Sequence, residues 1–529
     1  MSETKFLYGA AVQGIQSFIF QTNKLREIVG ASELVEEICT SKFKDLFKQV
    51  GVEYNDSNCI LHAAGNIKYI FNNEQECAKI VRVFPKAIFE FAPGVTVSQA
   101  VVVFDNIEWK EDMPDFVEKD VDGKNRKVFQ SFKNAVNELE KRLRIQRNKP
   151  MRSATLGLMG IERSRQTGLP VVDFRKVKKE MTRVDAGTRA KLDMFKHADE
   201  PEFELTKSLC NTAFGKEKLY SRQIAYDIEE MTEKNDWVAI IHADGNGLGQ
   251  VVQTIGTDEK QFKEFSESLD KATKEAAVAA YISVKGKFDE EEFIPIRPIV
   301  LGGDDFTTIC RADIALDYVT EFVKQFEEKT TFVEQYEKLS FDKLTACAGI
   351  AYIKSSFPFY YGYNLAEALC SQAKKDAKAD LKEGELPKSC LMFHKVQDSF
   401  TEDWAAIAKR ELTPQPNISF QFGPYYLCEK AGRMSIKKLT ELADELNGKE
   451  GNAVKSHLRQ WMSLLHDNPE MAKQKLLRLR SMTSMKSYVD EVTKETTRIN
   501  GGKYDTVFPV YDILTIHTIN NQTTKEDKQ

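Results

Sequence analysis

The tetrad Gly302-Gly303-Asp304-Asp305 constrains this chain more than any other stretch. It sits between β-formers at 293–301 and Phe306-Thr307-Thr308-Ile309, so it reads as the tip of a hairpin. Glycine adopts φ > 0 without penalty, which permits a tight reversal and presents the two carboxylates side by side. Upstream, the apolar run Trp237 to Ala243 ends in Asp244, followed by Gly245-Asn246-Gly247. One strand delivering Asp244 and another delivering Asp304 and Asp305 can hold a pair of divalent ions. All-oxygen ligands suit Mg²⁺ or Mn²⁺. Two such ions clamp an in-line phosphoryl displacement, which makes these three acids the candidate catalytic and metal-binding residues. The competing reading is two solvated turns, because short motifs carry a false-positive risk.

Hydrophobic periodicity around the tetrad predicts an ordered series. A strand over 236–244 precedes a helix over 258–285, carried by Phe262, Phe265, Leu269, Ala276 and Ala280. A hairpin of 293–301 and 305–310 follows, then a helix over 311–329, a strand over 344–353 and a helix over 364–379. This β-α-β-β-α-β order is the ferredoxin-like plan, the palm of many nucleotidyltransferases. In the last helix Lys374 and Lys378 share one face, opposite Leu365, Leu369, Ala373 and Ala377. They are either two solvated lysines or a pair of cations for a triphosphate.

The acid-bearing elements, Asp244-Gly245-Asn246-Gly247-Leu248-Gly249, the tetrad and the helix Ala373-Lys374-Lys375-Asp376-Ala377-Lys378, resemble the second palm of the large polymerase-like subunit of type III CRISPR effector complexes. The N-terminus, Gly14 to Ile19 and Leu25 to Ser32, is similar to that subunit's first palm. The resemblance covers roughly 5–105 and 236–400. It implies an α+β protein with two ferredoxin-like palm domains, a helical insert and a C-terminal helical domain. It also implies a nucleotidyltransferase that makes cyclic oligoadenylates from ATP with two Mg²⁺ or Mn²⁺ ions. Guide RNA and target RNA would reach it through other subunits of a cytoplasmic antiviral complex. Gly245, Asn246, Gly302, Gly303, Lys374, Lys378 and Ser32 are the nucleotide-contacting residues that it implies.

The chain carries its own sign of duplication. Residues 5–13 run into Gln13-Gly14-Ile15 as 236–246 run into Asn246-Gly247-Leu248; setting Gly14 against Gly247 places Ala11 at the position of Asp244. A second hairpin, Cys59 to Ile70, has Ala64-Gly65-Asn66 at its tip where the other has carboxylates, and 95–104 supplies a closing strand. A palm without acids cannot hold the ions, so one palm should catalyse while the other binds. The expected domains are a degenerate first palm at 1–105, a basic insert at 106–235, the second palm at 236–399 and a helical domain at 400–529.

Composition limits what remains. With 529 residues, 42% hydrophobic and 29% charged, this is an ordinary globular chain. No apolar run approaches the ~20 residues of a membrane span, and the first residues lack a signal-peptide core, so no membrane partner is expected. Nine cysteines without a C-x-x-C read as reduced thiols, Cys39, Cys310, Cys347 and Cys370 among them. The four-cysteine zinc site of many relatives is not expected, since 106–235 holds only Cys210. The relatives' N-terminal HD nuclease is likewise not expected. Asn246 stands where many relatives have a second acid, which leaves the metal count open.

Thirteen Lys/Arg against three Asp/Glu over 141–183, including Arg142, Arg144, Arg147 and Arg152, suit a phosphate backbone or an acidic partner. Neutralisation by Glu138, Glu140 and Asp185 is the alternative. The C-terminal stretch reads as helices, with Ser435 capping 436–446 and Leu458, Trp461, Leu464, Leu465, Leu476 and Leu477 facing inward. A stand-alone second-messenger synthase and a catalytically silent scaffold remain as alternative functions.

Overall fold

The computed structural model describes residues 4–521 apart from 64, 106, 108–113, 122, 150–159, 178–179, 196–198, 233–235, 256–257, 337–338, 380, 383, 399–402 and 501–502. Ala64 and Arg152, named above, lie outside the described residues.

Two six-stranded sheets of matching design organise the chain. The first contains β1 (Thr4–Gln13), β2 (Cys59–Ala63), β3 (Asn66–Phe71), β4 (Thr96–Asp105), β5 (Phe116–Val121) and β6 (Lys124–Phe129), in the order β2-β3-β1-β4-β6-β5. The second contains β7 (Trp237–Asn246), β8 (Ile296–Gly302), β9 (Asp305–Arg311), β10 (Thr345–Lys354), β11 (Cys390–Lys395) and β12 (Tyr425–Tyr426), in the order β8-β9-β7-β10-β11-β12. The directions match as well: β6 is parallel to β4 as β11 is to β10, and the edge strands β5 and β12 are antiparallel to their neighbours.

Both faces of each sheet are covered, which is why β1 and β7 are apolar along nearly their whole length instead of alternating. In the second sheet, α5 (Ala312–Lys329) covers one face, with Phe322 stacked on Phe306 at 4.0 Å, and α4 (Glu259–Val284) packs along α5. Helix α6 (Phe359–Lys378) covers the other. It approaches so closely that a Cβ on Gly349 would lie 2.0 Å from the Ala366 carbonyl oxygen. In the first sheet α1 (Leu25–Glu37) and α2 (Glu74–Phe91) correspond to α4 and α5, while α3 (Phe132–Arg147) lies against Gly9 on the face that α6 covers in the second. The chain reaches these equivalent helices at different points, since α6 precedes β11 whereas α3 follows β6.

The ferredoxin-like α+β plan is therefore present twice. The expected boundary at 105 differs from what the structure has, because β5, β6 and α3 complete the first sheet. The segment 106–235 is not wholly helical either; Asp173–Val177 and Glu180–Val184 form a hairpin. The segment 400–529 lends β12 to the second sheet and holds a three-stranded sheet, Ile418–Ser419, Lys503–Val507 and Thr496–Asn500, among its helices. Ser435 does cap the helix Ile436–Asp444 through Lys438 N–H. Leu477 instead is 57% exposed. Within the basic run, Arg142 pairs with Glu138 at 2.8 Å and Arg183 with Glu162 at 2.9 Å, so part of that charge is neutralised locally. Among the described residues no helix is long and apolar enough to cross a membrane.

Candidate active site

The acids meet through strand register. Asp244 is the residue directly opposite Asp305 across β7 and β9, and Gly302 is opposite Asp305 across the hairpin. Gly303 takes φ +63° in open space, so it alone makes the left-handed reversal that both glycines were expected to share. Its carbonyl accepts a hydrogen bond from Thr273 of α4, which ties the hairpin tip to that helix. Gly245 serves by being small: a Cβ there would come within 3.0 Å of the Asp304 Cβ. Asp304 can therefore stand near Asp244, whose charge is one cause of its raised pKa.

Crowding of like charge is visible in the protonation. Burial, then the charges of Asp305 and Asp244, push Asp304 up to about 7. Burial and Asp244 push Asp305 up to about 6, against the opposing pull of Lys374. Lys374 Nζ forms an ion pair with Asp244 and donates to the Gly245 carbonyl at 2.9 Å. His242, two residues before Asp244 on the same strand face, is pushed down to about 4 by burial and is neutral at physiological pH. It bonds Thr307 Oγ1 at 3.1 Å.

A cleft of about 550 Å³ opens over these groups. Asp244, Asp305, His242, Tyr363 and Glu367 form its second-sheet wall. The turn Gln13 to Ser17, Asn66 and Arg147 come from the first. The walls are joined directly. Gln16 donates to the Tyr363 hydroxyl at 2.7 Å, Phe20 stacks on Tyr363 at 4.1 Å, and Asn23 accepts from Phe359 N–H at 3.0 Å.

The other expected contacts divide. Ser32 lines the cleft, its hydroxyl donating to the Ile299 carbonyl on β8. Asn246 lies on the strand face of Asp244 and is buried, its Nδ2 donating to Thr345 Oγ1 at 3.1 Å, and its Oδ1 has no partner among the described residues. Lys378 is exposed one turn beyond Lys374 and makes no contact with the acids. Strand period two from Asp244 signals His242, and the helical spacing of Tyr363, Glu367 and Lys374 signals the other two. Arg147 gave no such signal.

The donor set fits a hard divalent cation. Three carboxylates converge from adjacent strands, two hold protons more tightly than usual, and an ammonium stands against the third. Among the described residues no three side chains of His, Cys, Asp or Glu already stand together as a ligand cage. Lys374 takes the counter-charge instead.

Residues 237–382 match the family model of the Cas10/Cmr2 second palm domain. The chain carries a Cas10-type second palm. Solved structures share the fold over 98% of this chain and 70% of theirs: the apo Csm1–Csm4 cassette (13% identity, TM-score 0.52), that cassette in complex with cA4 (14%, 0.51), and the Csm1–Csm4 subcomplex of the type III-A CRISPR-Csm interference complex (14%, 0.51). No curated protein matches the chain. The Cas10-type palm is thus the half of the cleft that carries Asp244 and Asp305, and in the first sheet Ala11 stands where Asp244 does.

Replacing Lys374 with Met in this palm removes the cation that holds Asp305 down. Asp305 then binds its proton up to higher pH, and any activity that needs the ionised acids loses its acid limb sooner. We expect a loss of roughly tenfold at pH 8 and more at pH 6.5. A pH–rate profile checks this; an unshifted acid limb contradicts the role of Lys374.

Proposed function

We propose that the chain is the nucleotidyltransferase subunit of a type III CRISPR effector complex and joins ATP into cyclic oligoadenylates. The observation that supports this reading is the cleft itself, whose one wall presents Asp244 and Asp305, with Asp304 next to them at the hairpin tip, and whose other wall comes from a second copy of the same sheet plan in which Ala11 stands where Asp244 does. Similar folds have been solved with cA4, cA3 and pppApA.

In this reading Asp244, Asp304 and Asp305 would hold two Mg²⁺ or Mn²⁺ ions. When bound, the ions would supply charge neutralisation at the phosphates and acidify an attacking hydroxyl. Lys374 keeps Asp305 ionised at neutral pH and restrains Asp244. Gly245, Gly302 and Gly303 let backbone approach a phosphate closely. Ser32, Gln16 and Asn66 offer polar groups to a second nucleotide over the first sheet, and Arg147 offers it a cation. Asn246 is a strand-locking residue here, and Lys378 a solvated one. Guide RNA and target RNA, met through other subunits in the cytoplasm, would supply the activating signal.

The purified protein is incubated with each NTP and Mg²⁺ or Mn²⁺, with and without copurified RNA. Oligoadenylates formed from ATP, and only with metal, are the expected product. Condensation that is complete without RNA or partners points to a stand-alone synthase. No condensation under any condition, with ATP still bound, points to a scaffold.

A further inference from the structure

The segment between the two sheets sends one helix, Ala186–Asp193, back onto the first half of the chain. Asp185 caps it, accepting from Gly187 and Thr188 N–H at 2.9 and 3.0 Å. The helix is seated closely. A Cβ on Gly30 of α1 would lie 2.0 Å from the Lys191 carbonyl oxygen, and one on Gly187 would lie 2.8 Å from that of Pro93. Lys191 is only 2% exposed. Its Nζ donates to the Phe18 carbonyl at 2.7 Å and to Gln21 Oε1 at 3.4 Å, and stands 4.2 Å from the centre of the Phe18 ring.

Burying an ammonium is costly. Burial pushes Lys191 down to about 8, against the opposing charges of Glu27 and Asp185, so it still carries its proton at pH 7. A methionine of similar length would fill the same space without that cost, but would leave the Phe18 carbonyl without its donor. Phe18 lies in the last turn of the short helix Ile15–Ile19, where carbonyls have no further helical partner. The same stretch has two other duties. Gln13 to Ser17, with Ile19 and Phe20, line the cleft. Gln16, Phe20 and Asn23 hold Tyr363 and Phe359 of α6. The turn is thus pinned to the second palm on one side and to Lys191 on the other.

We propose that Lys191 is a positioning residue for a nucleotide bound over the first sheet, because it fixes the turn 14–21 that walls that side of the cleft. The segment between the sheets thereby shapes a binding surface to which it adds no metal ligand. The inference rests on the reading above, in which the first sheet holds a nucleotide of its own. Without Lys191 the turn stays anchored to α6 alone, and its cleft-facing groups lose their fixed distance from the first sheet. The acids of the second sheet keep their own supports, Thr273 on the Gly303 carbonyl and Lys374 beside Asp244. Loss of Lys191 should therefore be felt on one wall and not on the other.

The two walls are separated by combining variants of the full chain. Asp304→Ala with Asp305→Ala removes two of the acids, so the ATP analogue AMPPNP that still binds this variant is held by the first sheet. Calorimetric titration of AMPPNP into that background, with and without Lys191→Met, reads the first-sheet site alone. We expect Lys191→Met to weaken it by about tenfold or more, the worth of a lost charge-assisted hydrogen bond. With the acids intact, Lys191→Met should bind Mn²⁺ within about twofold of wild type. The shorter, uncharged Lys191→Gln keeps the test decisive if Lys191→Met does not fold. Equal affinity with and without Lys191 overturns the proposal, as does the absence of any nucleotide in the Asp304→Ala, Asp305→Ala background. A loss that extends to Mn²⁺ also overturns it, by showing a merely structural lysine. A wild type that binds AMPPNP at both walls yet joins no ATP counts against the proposed reaction and leaves this assignment standing.

Discussion

Replacing Asp304 and Asp305 together with alanine is expected to lower nucleotide condensation by about 10³-fold or more while making the metal-free protein more resistant to heat at pH 8. Both effects have one origin. Asp304 is held near 7 and Asp305 near 6, above the ordinary carboxylate range, so ionising them in the folded state costs free energy. Their contribution to stability is full below about pH 4, where folded and unfolded chains are both protonated, and is lost as pH rises through 7. For Asp304 the cost at pH 8 is on the order of 3 kcal/mol. The double variant escapes it, so the difference in melting temperature should vanish as pH falls towards 4. Added Mn²⁺ should stabilise the wild type and leave the variant unmoved. Turnover within tenfold of wild type would remove these acids from the chemistry.

Gly349→Val should have the largest structural effect of any single change near the site. A Cβ there would meet the Ala366 carbonyl oxygen at 2.0 Å and the Cys370 amide nitrogen at 2.6 Å, both of them backbone atoms of α6. No rotamer relieves such a contact, so the helix must lift from β10, at a cost of roughly 3 kcal/mol or more. Tyr363, Glu367 and Lys374 would move with it. The readout is faster amide exchange confined to 359–378 with a loss of nucleotide binding. Gly286→Ala, in open space at ordinary φ, is the control and should change neither. Wild-type exchange in Gly349→Val would show that this approach is looser than it looks.

Much of the second palm could be read from sequence because its signals are local. An apolar run ending in Asp244, a glycine reversal and amphipathic helices each determine a piece, and the strand order follows. The pairing of Asp244 with Asp305 was implicit in that order. What escaped depends on distant parts of the chain. β5 is a polar edge strand, Phe-Val-Glu-Lys-Asp-Val, whose alternation is weak because little covers it. β12 is two residues long and belongs to the sheet only through Leu391 and Cys390. Asn246 resembles a ligand in sequence, but its partner is Thr345, 99 residues away. Lys378 lies on the predicted face and still fails to reach the acids, because it is one helical turn further along. Arg147 enters the cleft only because α3 occupies in one sheet the place that α6 occupies in the other.

That last correspondence gives the cleft an electrical polarity. Ala11 and Asp244 occupy equivalent positions in the two sheets, yet the second-sheet side brings Asp244, Asp305 and Glu367 to the gap, whereas the first half brings Glu36 together with the exposed Arg147. A polyanion entering alone is repelled from the ionised acids of the second sheet unless cations offset them. Charge balance therefore imposes a sequence of events: cations must settle among the carboxylates before a phosphate can lie across both walls, and the order of loading is written into which copy of the fold kept its acids.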